Sequence, residues 1–113
     1  MLINFSLENI SSFKTTQNIS MEASNLKKDA FLDENLIKNK DKNYVKTAVM
    51  YGANASGKTN LIKSIDKLKQ IVLSSQDLKH NFTTVVTPFL LAVGDVQPSV
   101  FEIIFIENDI KYR

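Results

Sequence analysis

The sequence is poor in residues that build metal sites and disulfides: its 113 residues include no cysteine and one histidine. Without cysteine there is neither a disulfide framework nor a thiolate metal site, and His80 alone cannot form a ligand cluster. We interpret His80 as a solvated loop residue. No apolar run approaches the roughly 20 residues of a membrane-spanning helix, and the N-terminus lacks the pattern of a signal peptide. These absences predict a cytoplasmic protein with no membrane partner.

The chain also lacks an excess of charge of either sign. Its formal net charge is +2, and its lysines are interleaved with acidic residues. This balance neither supports nor excludes binding to nucleic acid. We interpret Lys63, Lys67 and Lys69 as the solvated face of a helix, with DNA contact as the alternative. A chain of this length forms one domain at most, with a modest core.

The N-terminal residues alternate between apolar and polar in the manner of a β-strand. Residues 1–7 place three apolar side chains on one face, namely Ile3, Phe5 and Leu7. Residues 19–23 alternate again, so we predict an antiparallel β-hairpin at the start of the chain. From residue 25 to residue 46 the composition shifts to lysine, aspartate, glutamate and asparagine. This segment is predicted to be an exposed excursion with one short helix.

An apolar stretch of strand length, Tyr44 to Tyr51, runs directly into Gly52. We predict that it forms a central buried strand. Beyond the glycine-rich loop that follows, apolar side chains recur every three or four residues, which predicts one face of a helix that ends near Ser74: Leu61, Ile65, Leu68 and Val72. The expected order is strand, loop and helix.

The last part of the chain reads as a second hairpin. Residues 100–106 form a strongly apolar strand, and a tight turn is expected over residues 107–110 because asparagine and aspartate tolerate a positive φ. The sequence stops soon after the return strand begins, so we expect residues 1–113 to be the N-terminal part of a longer domain. The predicted fold class is α/β, with a central strand and helix joined to an antiparallel β-subdomain from residues 1–24 and 85–113.

The most specific motif is the spacing G-x-x-x-x-G-K-[ST], which residues 52–59 match. Glycines let backbone N–H groups converge on phosphates, the lysine brings a positive charge to the β and γ phosphates, and the threonine hydroxyl can ligate Mg²⁺. A glycine turn that binds nothing is the alternative, but such a turn does not require Lys58 and Thr59. We call residues 52–59 the candidate P-loop, of the Walker A type. The predicted cofactors are ATP and Mg²⁺, with Thr59 as the metal ligand, and the predicted nucleotide-binding residues are Gly52, Ala53, Asn54, Ala55, Ser56, Gly57, Lys58, Thr59 and Asn60.

These residues, preceded by a strand region with Leu2, Phe5, Asn9 and Phe13, resemble the N-terminal lobe of ABC-class ATPase heads. The resemblance is nearest to the structural-maintenance-of-chromosomes and RecF-type branch. More narrowly, the chain is similar to bacterial AAA family ATP-binding proteins associated with anti-phage defence and abortive infection. In those proteins the loop is followed by a long helix, a proline and a Pro-Ser-x-Phe-Glu strand. This sequence has Thr87-Pro88-Phe89 and Pro98-Ser99-Val100-Phe101-Glu102 in that order.

The resemblance implies ATP hydrolysis in a head-to-head homodimer, where the signature motif of one subunit completes the site of the other. The sequence contains no signature motif, no acidic pair after a buried strand and no later switch histidine. Glu107 and Asn108 stand where a Walker B pair could follow a strand, but a hairpin turn accounts for them better. Ser11 occupies a position that is often basic in the related pattern. We assign no catalytic residue, and hydrolysis would need the missing remainder of the domain.

Two other functions are open at this stage. One is a nucleotide-binding or interaction module that does not hydrolyse ATP, and the other is a small P-loop kinase. Asn60 and the hairpin ahead of the loop argue against the kinase, in which the P-loop strand usually comes first. Tyr44 and Tyr51 are candidates for contact with adenine, although aromatic residues in or beside a strand more often serve packing. The biological target is not determined by the sequence.

Overall fold

The computed structural model describes residues 1–24, 32–39, 42–75, 86–91, 94 and 97–113. His80 lies outside these residues. The described elements confirm the α/β class and are, in chain order, β1 (Leu2–Glu8), β2 (Gln17–Ser20), α1 (Leu32–Asn35), β3 (Leu36–Lys38), β4 (Asn43–Val45), α2 (Lys58–Ser74), β5 (Val100–Glu107) and β6 (Ile110–Tyr112).

The main sheet has four strands in the order β2-β1-β5-β6. The predicted apolar face of β1 is confirmed, since Ile3, Phe5 and Leu7 are all buried. The second strand begins earlier than predicted, at Gln17. Beyond its end the Met21 N–H donates a hydrogen bond to the Ile3 carbonyl at 2.8 Å.

The C-terminal hairpin of β5 and β6 is also confirmed. The two strands are antiparallel, with Glu107 opposite Ile110, and Asn108 and Asp109 have φ angles of 49° and 60°. Two consecutive residues with positive φ are typical of a type I′ turn, whose twist matches that of the flanking strands. The hairpin accounts for Glu107 and Asn108 without a Walker B role.

The described part of the segment predicted as an exposed excursion holds α1 and an antiparallel pair, β3 and β4. Tyr44 is buried there, opposite Ile37. The Lys46 ammonium donates to the Glu34 carbonyl at 2.7 Å. Lys42 pairs with Glu22 at 2.6 Å, and this hydrogen bond and the carboxylate charge raise the pKa of Lys42.

The prediction of a central buried strand over Tyr44 to Tyr51 is wrong. The strand ends at Val45, and the apolar side chains that follow are exposed, with 69% of Val49 and 89% of Tyr51 accessible to solvent. An apolar run of strand length shows that a segment can be buried, but burial also needs neighbouring strands. Among the described strands, none pairs with residues 46–51.

Helix α2 has the predicted bounds, but its buried face is narrower than the pattern indicates. Leu61 and Ser64 are buried, whereas Val72, which was expected on the same face, is 60% exposed. The Ser64 hydroxyl donates to the Asn60 carbonyl at 2.7 Å, which satisfies this buried polar group within the helix. The buried face of α2 therefore lies in the first half of the helix and includes the small side chain of Ser64.

The chain divides into two compact units. One comprises Met1–Phe5, Asn18–Met50 and Glu102–Arg113, and the other comprises Ser6–Gln17 and Tyr51–Phe101. The second unit contains the candidate P-loop. No helix in the described ranges is both long enough and apolar enough to traverse a bilayer.

Candidate P-loop

The backbone of the candidate P-loop turns back on itself before α2 begins. The Ser56 N–H donates to the Ala53 carbonyl at 3.3 Å. Ala55 and Gly57 have positive φ angles of 63° and 94°. Left-handed residues also occur in anion-binding nests, in which successive N–H groups converge on the ligand.

An added side chain would clash with the Phe13 ring at Gly57, whereas at Gly52 it would displace the exposed Ser56 hydroxyl. A Cβ built on Gly57 would lie 2.9 Å from two atoms of the Phe13 ring and 3.2 Å from Ser12 Oγ. A Cβ on Gly52 would lie 2.8 Å from Ser56 Oγ. The sequence pattern explains both glycines by the close approach of a phosphate. The structure adds a second reason at Gly57, which is the packing of the Phe13 ring against it.

The side chain of Lys58 folds over the loop. Its ammonium donates to the carbonyls of Gly52 and Ala53 at 2.7 and 2.6 Å, and to Ser56 Oγ at 3.3 Å. These bonds join the first residues of the loop to the residue that begins the helix. They also hold a positive charge at the centre of the motif.

The start of α2 presents free donors and a favourable dipole. Gly57 is the N-cap residue, no side chain caps the helix, and its first turn contains no acidic residue. The first N–H groups of any helix have no partner within it, and the helix dipole places partial positive charge there. Thr59 is exposed in this first turn. Lys58, the loop and the helix start therefore all favour an anion at the same place.

Asn60 behaves differently from the other predicted nucleotide-binding residues. Its side-chain amide donates to Ser12 Oγ at 3.0 Å. Ser12 belongs to a turn over Ile10–Phe13, in which each end residue donates a backbone hydrogen bond to the other, at 2.9 and 2.8 Å. No residue of this turn was assigned a nucleotide contact from the sequence, in which Ser11 was noted only as a position that is often basic in the related pattern. The signal in the sequence was the apolar Ile10 directly after Asn9, a residue type that tolerates a positive φ, and the structure buries Ile10.

Asn9 fixes the start of this turn. It is buried, has a φ of 52°, and its side chain donates to the Gln97 carbonyl and accepts from the Phe89 N–H. The Ser99 hydroxyl donates to the Asn9 carbonyl at 2.7 Å. The Ser11 N–H donates to the Thr87 carbonyl at 2.8 Å. A groove of about 500 Å³ lies beside the turn and is lined by Ser11, Ser12, Asn60, Thr87, Pro88, Phe89, Leu90 and Leu91.

The remaining candidates from the sequence lie elsewhere. Tyr44 is buried in the other compact unit, opposite Ile37, while Tyr51 immediately precedes the candidate P-loop and is exposed. Lys63 and Lys69 are exposed on α2, as a solvated helix face requires, whereas Lys67 is half-buried.

The spacing of residues 52–59 and the helix that begins directly after Gly57 match the pattern of a P-loop, and a comparison with known families agrees. Residues 48–113, more than half of the chain, match the family described as "AAA domain, putative AbiEii toxin, Type IV TA system". The chain therefore belongs to this AAA domain family. Membership implies the P-loop NTPase fold and nucleotide binding of the ATPase type. No curated protein and no solved structure matches the chain.

Proposed function

We propose that this chain binds MgATP through the candidate P-loop and forms the N-terminal portion of an ABC-type ATPase. One observation carries the proposal: the Lys58 ammonium, the left-handed backbone at Gly57 and the uncapped start of α2 come together within residues 52–59. The candidate P-loop fits a triphosphate because glycine leaves room for the phosphates and the first turn of α2 contains no acidic residue that would repel them.

The residues take separate roles in this proposal. The N–H groups of the loop and of the first helical turn hold the β and γ phosphates, and Lys58 neutralises their charge. Thr59 would supply a hydroxyl ligand to Mg²⁺, and the ion would neutralise charge on the bound phosphates. Lys58 reaches a phosphate from its place over the Gly52 and Ala53 carbonyls. These contacts bind and orient the triphosphate.

We further propose that hydrolysis takes place in a head-to-head homodimer of the full-length protein. Positioning the attacking water and stabilising the developing charge need an acidic pair and a signature motif, and the 113 residues contain neither. The full-length protein would act in phage defence, which the toxin–antitoxin description of the matched family supports. A module that binds nucleotide without hydrolysis is the alternative.

Titration calorimetry with MgATP tests the proposed site. Lys58→Ala should weaken binding at least tenfold, because it removes a charge-assisted hydrogen-bond donor to phosphate. Lys63→Ala is the matched control, since Lys63 is an exposed lysine on the same helix. We expect it to bind as the native chain does. Equal affinities for the native chain and Lys58→Ala would refute the site.

Phosphate release by the 113-residue chain tests the hydrolysis proposal separately. We expect the native chain to release phosphate from MgATP no faster than Lys58→Ala does, because it lacks the groups that position water. A steady release that disappears in Lys58→Ala would instead show that these residues suffice for turnover.

A further inference from the structure

Two side chains of the Ile10–Phe13 turn lie directly against the beginning of α2. Ser12 Oγ accepts a hydrogen bond from the Asn60 amide at 3.0 Å. The Phe13 ring covers Gly57 so closely that an added Cβ would lie 2.9 Å from it. The turn therefore contacts the helix at its N-cap residue and again in its first turn.

The Ile10–Phe13 turn is also held by contacts that do not involve the candidate P-loop. Its two backbone hydrogen bonds join Ile10 to Phe13, the Ile10 side chain is fully buried, and the Ser11 N–H is bonded to the Thr87 carbonyl. A turn held from three sides can serve as a fixed support for a neighbouring segment. The candidate P-loop is itself exposed over residues 52–56, where the Lys58 ammonium bonds to the carbonyls of Gly52 and Ala53.

Asn60 connects this support to the helix backbone. Its side chain bonds to Ser12, while its carbonyl accepts the hydroxyl of the buried Ser64. Asn60 lies two residues after Lys58, in the turn whose N–H groups point out of the helix start. Movement of the first turn of α2 by even a fraction of an ångström would change the direction of its N–H donors. Hydrogen bonds weaken steeply as their angle departs from linear.

We infer that Ser12 and Asn60 form a positioning pair for phosphate binding. The pair holds the first turn of α2 against the Ile10–Phe13 turn and so aims the N–H donors of the loop at the phosphates. Asn60 acts through Ser12 and is not itself a nucleotide ligand, contrary to its assignment from the sequence. This inference rests on the proposed MgATP function and deepens it.

The pair is tested with Ser12→Ala, Asn60→Ala and the double variant, using calorimetry with MgATP and with inorganic tripolyphosphate. We expect each single variant to bind both ligands about fivefold more weakly, the effect of one hydrogen bond. The double variant should lose no more than either single one, because both remove the same interaction. Ser12→Thr, which keeps the hydroxyl at an exposed position, should restore affinity.

Gln70→Ala is the matched control, because Gln70 also donates a side-chain amide hydrogen bond, to Asp66, at an exposed place on α2. It should leave both affinities unchanged. Thermal unfolding is measured for every variant, and if Asn60→Ala is poorly folded, Ser12→Ala carries the test. A loss confined to MgATP would overturn the inference, because it would indicate a contact with the base or ribose.

The failure of this inference is distinguishable from failure of the proposed function. If Lys58→Ala loses binding but Ser12→Ala and Asn60→Ala do not, the positioning pair alone is overturned. Additive losses in the double variant would overturn it as well. If Lys58→Ala binds as the native chain does, the proposed function fails and the inference fails with it.

Discussion

At the scale of single residues, Gly57 carries two constraints that are normally separate. Its φ of 94° lies in the left-handed region, which costs an ordinary residue roughly 1–2 kcal/mol. In addition, the Phe13 ring occupies the space that a side chain would need. Glycine at position 57 therefore allows both the positive φ of the loop and the close contact with the Phe13 ring.

We expect Gly57→Ala to lower the free energy of unfolding by more than the backbone strain alone and to abolish detectable MgATP binding. Gly94→Ala is the matched control, because Gly94 has a φ of 119° but, within the described part of the chain, no atom lies within 4 Å of an added Cβ. Gly94→Ala should lower the free energy of unfolding by about 1–2 kcal/mol and leave MgATP binding unchanged. Urea denaturation and calorimetry measure the two effects. Equal losses of stability in both variants would show that the Phe13 contact does not matter.

At the scale of secondary-structure elements, the β5–β6 hairpin depends on two successive left-handed residues, Asn108 and Asp109. We expect Asp109→Val to lower the free energy of unfolding by about 1–2 kcal/mol, because a β-branched residue fits poorly at positive φ. Asp109→Gly gives the Asn-Gly pair that type I′ turns prefer and should be no less stable than the native chain. Urea denaturation measures both. The turn assignment is contradicted if valine and glycine have the same effect.

Helix α2 shows how far a periodic pattern can be taken. Its bounds, Lys58 to Ser74, follow from the loop that starts it and from the apolar repeat, and both are readable in the sequence. Its buried residues cannot be read from the sequence, because the apolar repeat predicts burial for both Val72 and Leu61, while only Leu61 is buried in the structure. Propensity and period act along one element, whereas burial depends on what the rest of the chain places beside it.

At the scale of the whole molecule, the sequence predicted the α/β class, the apolar face of β1 and the terminal hairpin. These rest on local alternation and turn chemistry. The central strand over Tyr44–Tyr51 was wrong because it required a partner that no local pattern describes. The position of Lys58 at the start of a helix followed from motif spacing. The Asn60–Ser12 contact could not be predicted, since the two residues are 48 positions apart and neither residue type requires the other as a partner.

The exposed apolar residues after β4 bear on how the chain behaves in solution. Val49 and Tyr51 are largely exposed on a segment that no described strand pairs with. Exposed apolar side chains on an open backbone, which is one without strand partners, promote association between chains. We expect Val49→Ser to reduce concentration-dependent light scattering without lowering the free energy of unfolding.

Val72→Ser is the control for this effect, because Val72 is exposed to a similar degree but its backbone is satisfied within α2. Its scattering should match that of the native chain. If both variants reduce scattering equally, exposed apolar area alone drives association and the open backbone plays no part.

The contact between Ser12 and Asn60 also has a consequence for the order of events in folding. It closes a separation of 48 residues, and closing such a loop costs entropy that a helix, with its local bonds, does not have to overcome. Helix α2 can thus form before the candidate P-loop acquires its final shape. During refolding, recovery of the helical circular dichroism signal should therefore precede recovery of binding to a fluorescent ATP analogue.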